Sequence, residues 1–220
     1  MARDNYCPIM NYTKSVLVLA PHTDDGELGC GATIAKYLAA GQKVIYAAFS
    51  ACAHSLPAGI APDTLVHECY AATNVLGIKR AQVILFDFNV RTFPAHRQEI
   101  LEAMVQLARE YAPATVLLPA RNDVHQDHQI IYEEGIRAFK NCTLLGYELP
   151  WNNTRFQPAY FESLLSEMVH LKCKALAEYR SQQHQYYMNL EFIRSLSIVR
   201  GIQCKAAFAE AFEVYKMINP

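Results

Sequence analysis

Two short strings hold most of the side chains in this sequence that could do chemistry. Pro21-His22-Thr23-Asp24-Asp25 follows an apolar run directly, and His125-Gln126-Asp127-His128 comes far downstream. Together they offer imidazoles and carboxylates at spacings suited to one divalent metal. A catalytic zinc keeps three protein ligands and an open position, and mixed His/carboxylate sets serve it. His22, Asp25 and His128 make such a set. The first two are three residues apart, so one tight turn lets both face an ion, and Gly26, Gly29 and Gly31 give backbone freedom beside it. Asp24 is then left next to the ion as a general base. A bound metal lowers the pKa of its water from about 15.7 to about 7, within reach of a carboxylate base near neutral pH. His125 lies one helical step before His128, and Asp127 could hold it in its charged or correct tautomeric form. Such an imidazole could stabilise an oxyanion or protonate a leaving amine. The chemistry is metal-assisted hydrolysis of an amide, with Zn2+ as first choice and Fe2+, Mn2+ or Co2+ compatible with the same donors.

These residues need a scaffold, and the hydrophobic pattern supplies one. Residues 15–20, 43–49, 82–87, 115–119 and 143–148 read as strands with the continuous apolar character of strands covered on both faces. Leu65, Cys69, Ala72 and Leu76 mark one buried helix face, with Asp63 and Gly77 as its caps, and Ile100, Met104, Leu107, Ala108 and Tyr111 mark another. Further helices are expected at 129–139, 161–178 and 190–200, and a late strand at 208–215. The alternation predicts an α/β fold, a Rossmann-like three-layer sandwich with a mostly parallel central sheet. In such sheets ligands gather beyond the carboxyl ends of the strands, which is where both strings emerge. Loops 50–62 and 150–158 are candidate rims over the site.

Composition narrows the partners. The 220 residues fit a single domain, 1–220. Twenty Lys+Arg against 21 Asp+Glu gives a net charge of −1 with no basic run, which argues against nucleic acid and favours a small polar substrate. No apolar run approaches the ~20 residues of a membrane span, and the first six residues lack the apolar core of a secretory signal. Seven scattered cysteines (7, 30, 52, 69, 142, 173 and 204) form no Cys-x-x-Cys pair and fit reduced thiols in a cytoplasmic protein. A homo-oligomer is compatible with aromatic surface such as Tyr186-Tyr187.

The sequence resembles the PIG-L/LmbE-like N-acetylglucosaminyl deacetylases, which carry His-Pro-Asp-Asp after the first strand and His-x-Asp-His later. The likeness rests on PHTDDGELGCGATI and NDVHQDH and, more weakly, on RGIQCKAAFAEAFE; it extends through LGI at 76–78, YELPW at 147–151 and RSQQHQYY at 180–187. It implies a Rossmann-like fold and zinc on His22, Asp25 and His128. It also implies Asp24 as general base and His125 as electrostatic partner with Asp127 behind it. The implied substrates are N-acetylated amino sugars or glycoconjugates. Thr23 stands where the family commonly has Pro, and Gly26 where many members have Glu. Glu27 follows one position later, as in the branch similar to the bacillithiol-pathway deacetylases, and receives no role.

Arg91 lies where family members often place an arginine that reaches substrate oxygens, and Trp151 could stack on a sugar ring. His54, His67, His96, His170 and His184 are isolated and read as structural or exposed, and Cys30 as a packed thiol. Three rival readings fit the residues less well. A 2-His-1-carboxylate iron oxygenase on His22, Asp24 and His128 would sit on a β-barrel, which this strand–helix alternation does not suggest. A dinucleotide cradle at Gly26-x-x-Gly29-x-Gly31 has the wrong spacing. A non-catalytic metal- or sugar-binding protein would have no need of Asp24.

Overall fold

The computed structural model describes residues 15–56 and 59–218; Cys7 and the N-terminal hexapeptide lie outside them. Its sheet has seven strands in the order β3-β2-β1-β4-β5-β7-β6. These are β1 (Val16–His22), β2 (Val44–Ser50), β3 (Val83–Leu85), β4 (Thr115–Pro119), β5 (Thr143–Tyr147), β6 (Tyr160–Leu164) and β7 (Phe208–Lys216). The first five run parallel. β7 is antiparallel to β5 and to β6. The helices are α1 (Asp25–Ala39), α2 (Thr64–Leu76), α3 (Arg97–Tyr111), α4 (Gln126–Ala138), α5 (Ser166–Ala177) and α6 (Leu190–Gln203).

Alternate residues of the inner strands feed two separate cores, because successive side chains of a strand point to opposite faces. Val16, Val18 and Ala20 of β1 join Val44, Tyr46 and Ala48 of β2 against α1, α2, α5 and α6. Leu17 and Leu19 join Ile45, Ala47 and Phe49 against Ile100, Met104 and Leu107 of α3 and Ile130 and Ile131 of α4. The predicted three layers are therefore present. Asp63 and Gly77 flank α2 as expected, and Gly77 takes the left-handed conformation (φ 99°) in which glycine ends helices without strain.

Two elements differ from the sequence expectation. The helix expected over 161–178 is β6 followed by α5. Tyr160, Phe161 and Leu164 match a helical spacing, but pairing from Tyr160↔Phe212 to Leu164↔Phe208 with β7 decides the segment as strand. The glycine-rich stretch read as turn freedom after β1 is the first half of α1. Gly26 and Gly29 let this helix lie close on the sheet: a Cβ at Gly26 would fall 2.5 Å from Tyr46 Cε2, and one at Gly29 would overlap the Tyr147 ring. They are packing glycines of a helix, which also disposes of the dinucleotide cradle. α1 is broken at Cys30 (φ −146°, ψ 24°). The carboxylate of Glu210 in β7 accepts the amide protons of Ala32 (3.2 Å) and Thr33 (2.7 Å) that the break leaves free, while Lys172 Nζ donates to it at 2.6 Å.

β1 pairs directly with β4, Val16↔Thr115 through Val18↔Leu117. The chain order turns back between these neighbours, so a crevice opens beyond their carboxyl ends. β1 ends at His22, and β4 leads through residues 120–125 into α4. Both reactive strings therefore line one crevice.

Candidate metal centre

Three donor atoms meet in that crevice. His22 Nδ1 lies 3.0 Å from Asp25 Oδ2, His128 Nε2 lies 3.2 Å from the same oxygen, and the two nitrogens are 3.2 Å apart. Tetrahedral zinc with bonds of about 2.0–2.1 Å requires ligand atoms about 3.3 Å from one another. The triangle fits such an ion, and the outer nitrogen of each ring has a carboxylate partner. His22 Nε2 faces Asp127 Oδ2 at 3.2 Å, and His128 Nδ1 faces Asp123 Oδ2 at 2.8 Å. A proton on each outward nitrogen leaves the lone pair of the inward nitrogen free for a cation, and carboxylate partners of this kind fix the orientation of ligand rings.

Asp123 was missed in the sequence. It is fully buried, accepts the His125 amide through Oδ1 (2.8 Å), and stands five residues before His128, a separation that no helix period flags. Asp127 is placed differently from expectation. Its Oδ2 is 4.0 Å from His125 Nδ1, beyond a hydrogen bond, and its carboxylate instead serves His22 and the loop after β3, taking amide protons from Arg91 (2.6 Å) and Phe93 (3.3 Å). The physical reason is helix geometry. His125 is the N-cap of α4, so the amide of Asp127 meets its ring, donating to Nδ1 at 3.2 Å. That bond puts the ring proton of neutral His125 on Nε2.

A ring nitrogen of His125 lies within 4.8 Å of those of His22 and His128, so the three imidazoles are also a possible donor group. Asp25 completes the tighter triangle, and the tautomer of His125 makes it a hydrogen-bond donor rather than a ligand. Burial and then the neighbouring charges of His128 and His22 push the His125 imidazole down to about 4. Burial alone would raise Asp25, but His128 and His22 hold its carboxyl well below the usual range. Asp24 occupies the N-cap position of α1 yet makes no capping hydrogen bond; burial, followed by the charge of Asp25, pushes its carboxyl up to about 7. Burial likewise pushes Glu27, which contacts the phenols of Tyr46 and Tyr179, up to about 8.

The rim carries the two remaining candidates. Arg91 adopts a left-handed backbone (φ 68°), fixed by its amide on Asp127 and by Gln126 Nε2 donating to its carbonyl at 2.5 Å; its side chain is exposed. For a residue with a Cβ this conformation is strained by about 1–2 kcal/mol. Trp151 is 36% exposed. Its turn is joined to the site by the Asp123↔Asn153 bridge and by the Val124 amide on the Asn152 carbonyl (3.1 Å). Trp151 stacks on Tyr187 with centroids 4.6 Å apart, while Tyr186 is 97% exposed. His67 and His96 make surface pairs with Asp63 and Glu99. The cysteines among the described residues are all free, and Cys30 is buried with its Sγ on the Gly26 carbonyl.

Fold and site define an α/β protein with a candidate mononuclear metal centre in the crevice of a largely parallel sheet. The family model described as PIG-L, GlcNAc-PI de-N-acetylase, matches residues 17–139, and the chain belongs to this deacetylase family. It is 29% identical over 180 residues to the uncharacterized deacetylase YaiS of Escherichia coli K12, covering 78% of this chain and 93% of that protein. Among solved structures it resembles an N,N'-diacetylchitobiose deacetylase from Pyrococcus horikoshii, solved with an inhibitor, at TM-score 0.76 and 20% identity, covering 91% and 83% of the two chains. It also resembles the 4-carboxy-2-hydroxymuconate hydratase of Pseudomonas putida KT2440, at TM-score 0.73 and 18% identity, covering 94% and 98%. The fold thus hosts more than one chemistry. Among the described residues no helix is long and apolar enough to cross a membrane.

Proposed function

We propose that this protein is a zinc-dependent N-deacetylase that hydrolyses the N-acetyl group of an amino sugar or glycoconjugate, releasing acetate and a free amine. The observation that carries the reading is the donor triangle of His22, Asp25 and His128, with the carboxylates of Asp127 and Asp123 facing the outer nitrogens of the two rings. A divalent cation held there would supply Lewis acidity, polarising the acetyl carbonyl and making water acidic near pH 7.

The protein's own groups do the rest. Asp24, beside the triangle and free of a capping bond, takes the proton of the attacking water and passes it toward the leaving nitrogen. His125 presents its Nε2 proton to the oxygen on which negative charge builds as the carbonyl is attacked. Asp127 supports both steps: its carboxylate orients His22 and its amide sets the tautomer of His125. Arg91 reaches toward substrate oxygens, and Trp151 offers its ring to the sugar.

Acetate release from a panel of N-acetylhexosamine compounds by the zinc-loaded protein tests the reading. Asp24→Asn should retain zinc and lose about 10²–10⁴-fold in kcat. No acetate from any N-acetyl compound, with water added instead across a carbon–carbon double bond, would move the protein to the hydratase side of its fold.

A further inference from the structure

Behind the metal centre a buried cluster remains that the reaction above does not use. Tyr46 comes from β2 and Tyr179 from just past α5, and both phenols converge on one atom, the carbonyl oxygen of Thr23, at 2.9 and 2.6 Å. Glu27 contacts both phenols from the first turn of α1: Oε1 is 3.1 Å from the Tyr179 hydroxyl, and Oε2 contacts that of Tyr46. The Gly26 amide donates to the Tyr46 oxygen at 3.1 Å. Tyr46, Tyr179 and Glu27 are all fully buried.

We propose that Tyr46 and Tyr179 are positioning residues for Asp24, acting through the Thr23 carbonyl; the inference rests on the assignment of Asp24 as general base. A carbonyl oxygen has two lone pairs. Thr23 spends both on the single protons of the two phenols, whose oxygens are left to accept, that of Tyr46 from the Gly26 amide and one of the two from the protonated carboxyl of Glu27, and the planar peptide between Thr23 and Asp24 is thereby fixed. The orientation of that plane sets the direction in which the Asp24 side chain leaves the backbone. The ligands His22, Asp25 and His128 are located by contacts of their own side chains, whereas Asp24, with no capping bond, depends on its backbone for aim. A turn that needed only to be packed would be served by apolar side chains; burying two hydroxyls and a carboxyl is favourable only when each is hydrogen-bonded.

Tyr46→Phe and Tyr179→Phe remove one oxygen each and keep the rings. Each should lower kcat about tenfold with KM and zinc content unchanged, and in an Asp24→Asn background the same substitutions should change kcat less than about twofold, because the group they act through is gone. Equal losses in both backgrounds, or loss of zinc, would overturn the proposal. If the unaltered protein releases no acetate from any N-acetyl sugar, the deacetylase reading fails by itself, and positioning is read from crystal structures instead. In Tyr46→Phe/Tyr179→Phe the 23–24 peptide should rotate and the Asp24 carboxylate shift while the donor triangle stays in place; an unmoved Asp24 would sink the idea. Should Tyr46→Phe not fold, Tyr179→Phe alone supports the same comparisons.

Discussion

Two buried polar clusters flank α1, and they are built on opposite plans. Behind the helix, Lys172 meets Glu210 at 2.6 Å, and Arg200 grips Glu148 in a bidentate pair, with Nε 2.9 Å from Oε2. Two cations answer two carboxylates, Glu210 also caps the broken helix, and the four residues border a cavity of only about 10 Å3, at the lower limit for one water. In front of the helix, three imidazoles stand among Asp24, Asp25, Asp123 and Asp127, no Lys or Arg pairs with these carboxylates among the described residues, and donor atoms of His22, Asp25 and His128 lie 3.0–3.2 Å from one another. The first cluster is complete as it stands. In the second the carboxylates face imidazoles instead of Lys or Arg, and an imidazole that gives up its proton becomes a metal ligand, which is what distinguishes a candidate cation site from an ordinary buried ion pair.

Substitutions that separate the two should follow from this. The largest effect is expected for His128→Ala, which removes a corner of the triangle: metal analysis of the purified protein should fall from about one zinc per chain to a trace. Lys172→Met leaves Glu210 charged and buried without its cation, and should destabilise the fold by about 3–5 kcal/mol in urea titration while the zinc content of the folded protein is kept. Adding Glu210→Gln to it should recover most of that loss, since the amide oxygen can still accept from the broken helix. Asp123→Asn should weaken zinc binding about 10–100-fold in a competition assay with little change in stability. The smallest effect is at Asn189, whose Oδ1 caps α6 by accepting from Glu191 (2.8 Å) and Phe192 (3.1 Å). Asn189→Ala should cost about 1 kcal/mol in the same urea titration and leave zinc binding untouched. Zinc lost from Lys172→Met, or stability lost from Asp123→Asn, would erase the distinction between the clusters.

The clearest sequence signals were local. The strand at 115–119, the caps Asp63 and Gly77, and the two reactive strings after strands each follow from residue type and near-neighbour spacing. What escaped is non-local. The partnership of β1 with β4 is set by topology, and the strand character of β6 by pairing with β7, two helices later in the chain. α1 was obscured because Gly26, Gly29 and Gly31 have poor helix propensity, although two of them are required where Tyr46 and Tyr147 press against the helix. Asp123 and Tyr179 approach the centre from segments whose spacing announces nothing, and only the folded chain shows what each carboxylate and phenol touches.

The strained backbone at Arg91 carries a mechanical consequence. Its amide is tied to the same carboxylate oxygen that steers the outer nitrogen of His22, so two hydrogen bonds link the loop after β3 to a corner of the donor triangle. A displacement of the Arg91 backbone would therefore act on the carboxylate that faces His22, and the loop and the ring share one anchor.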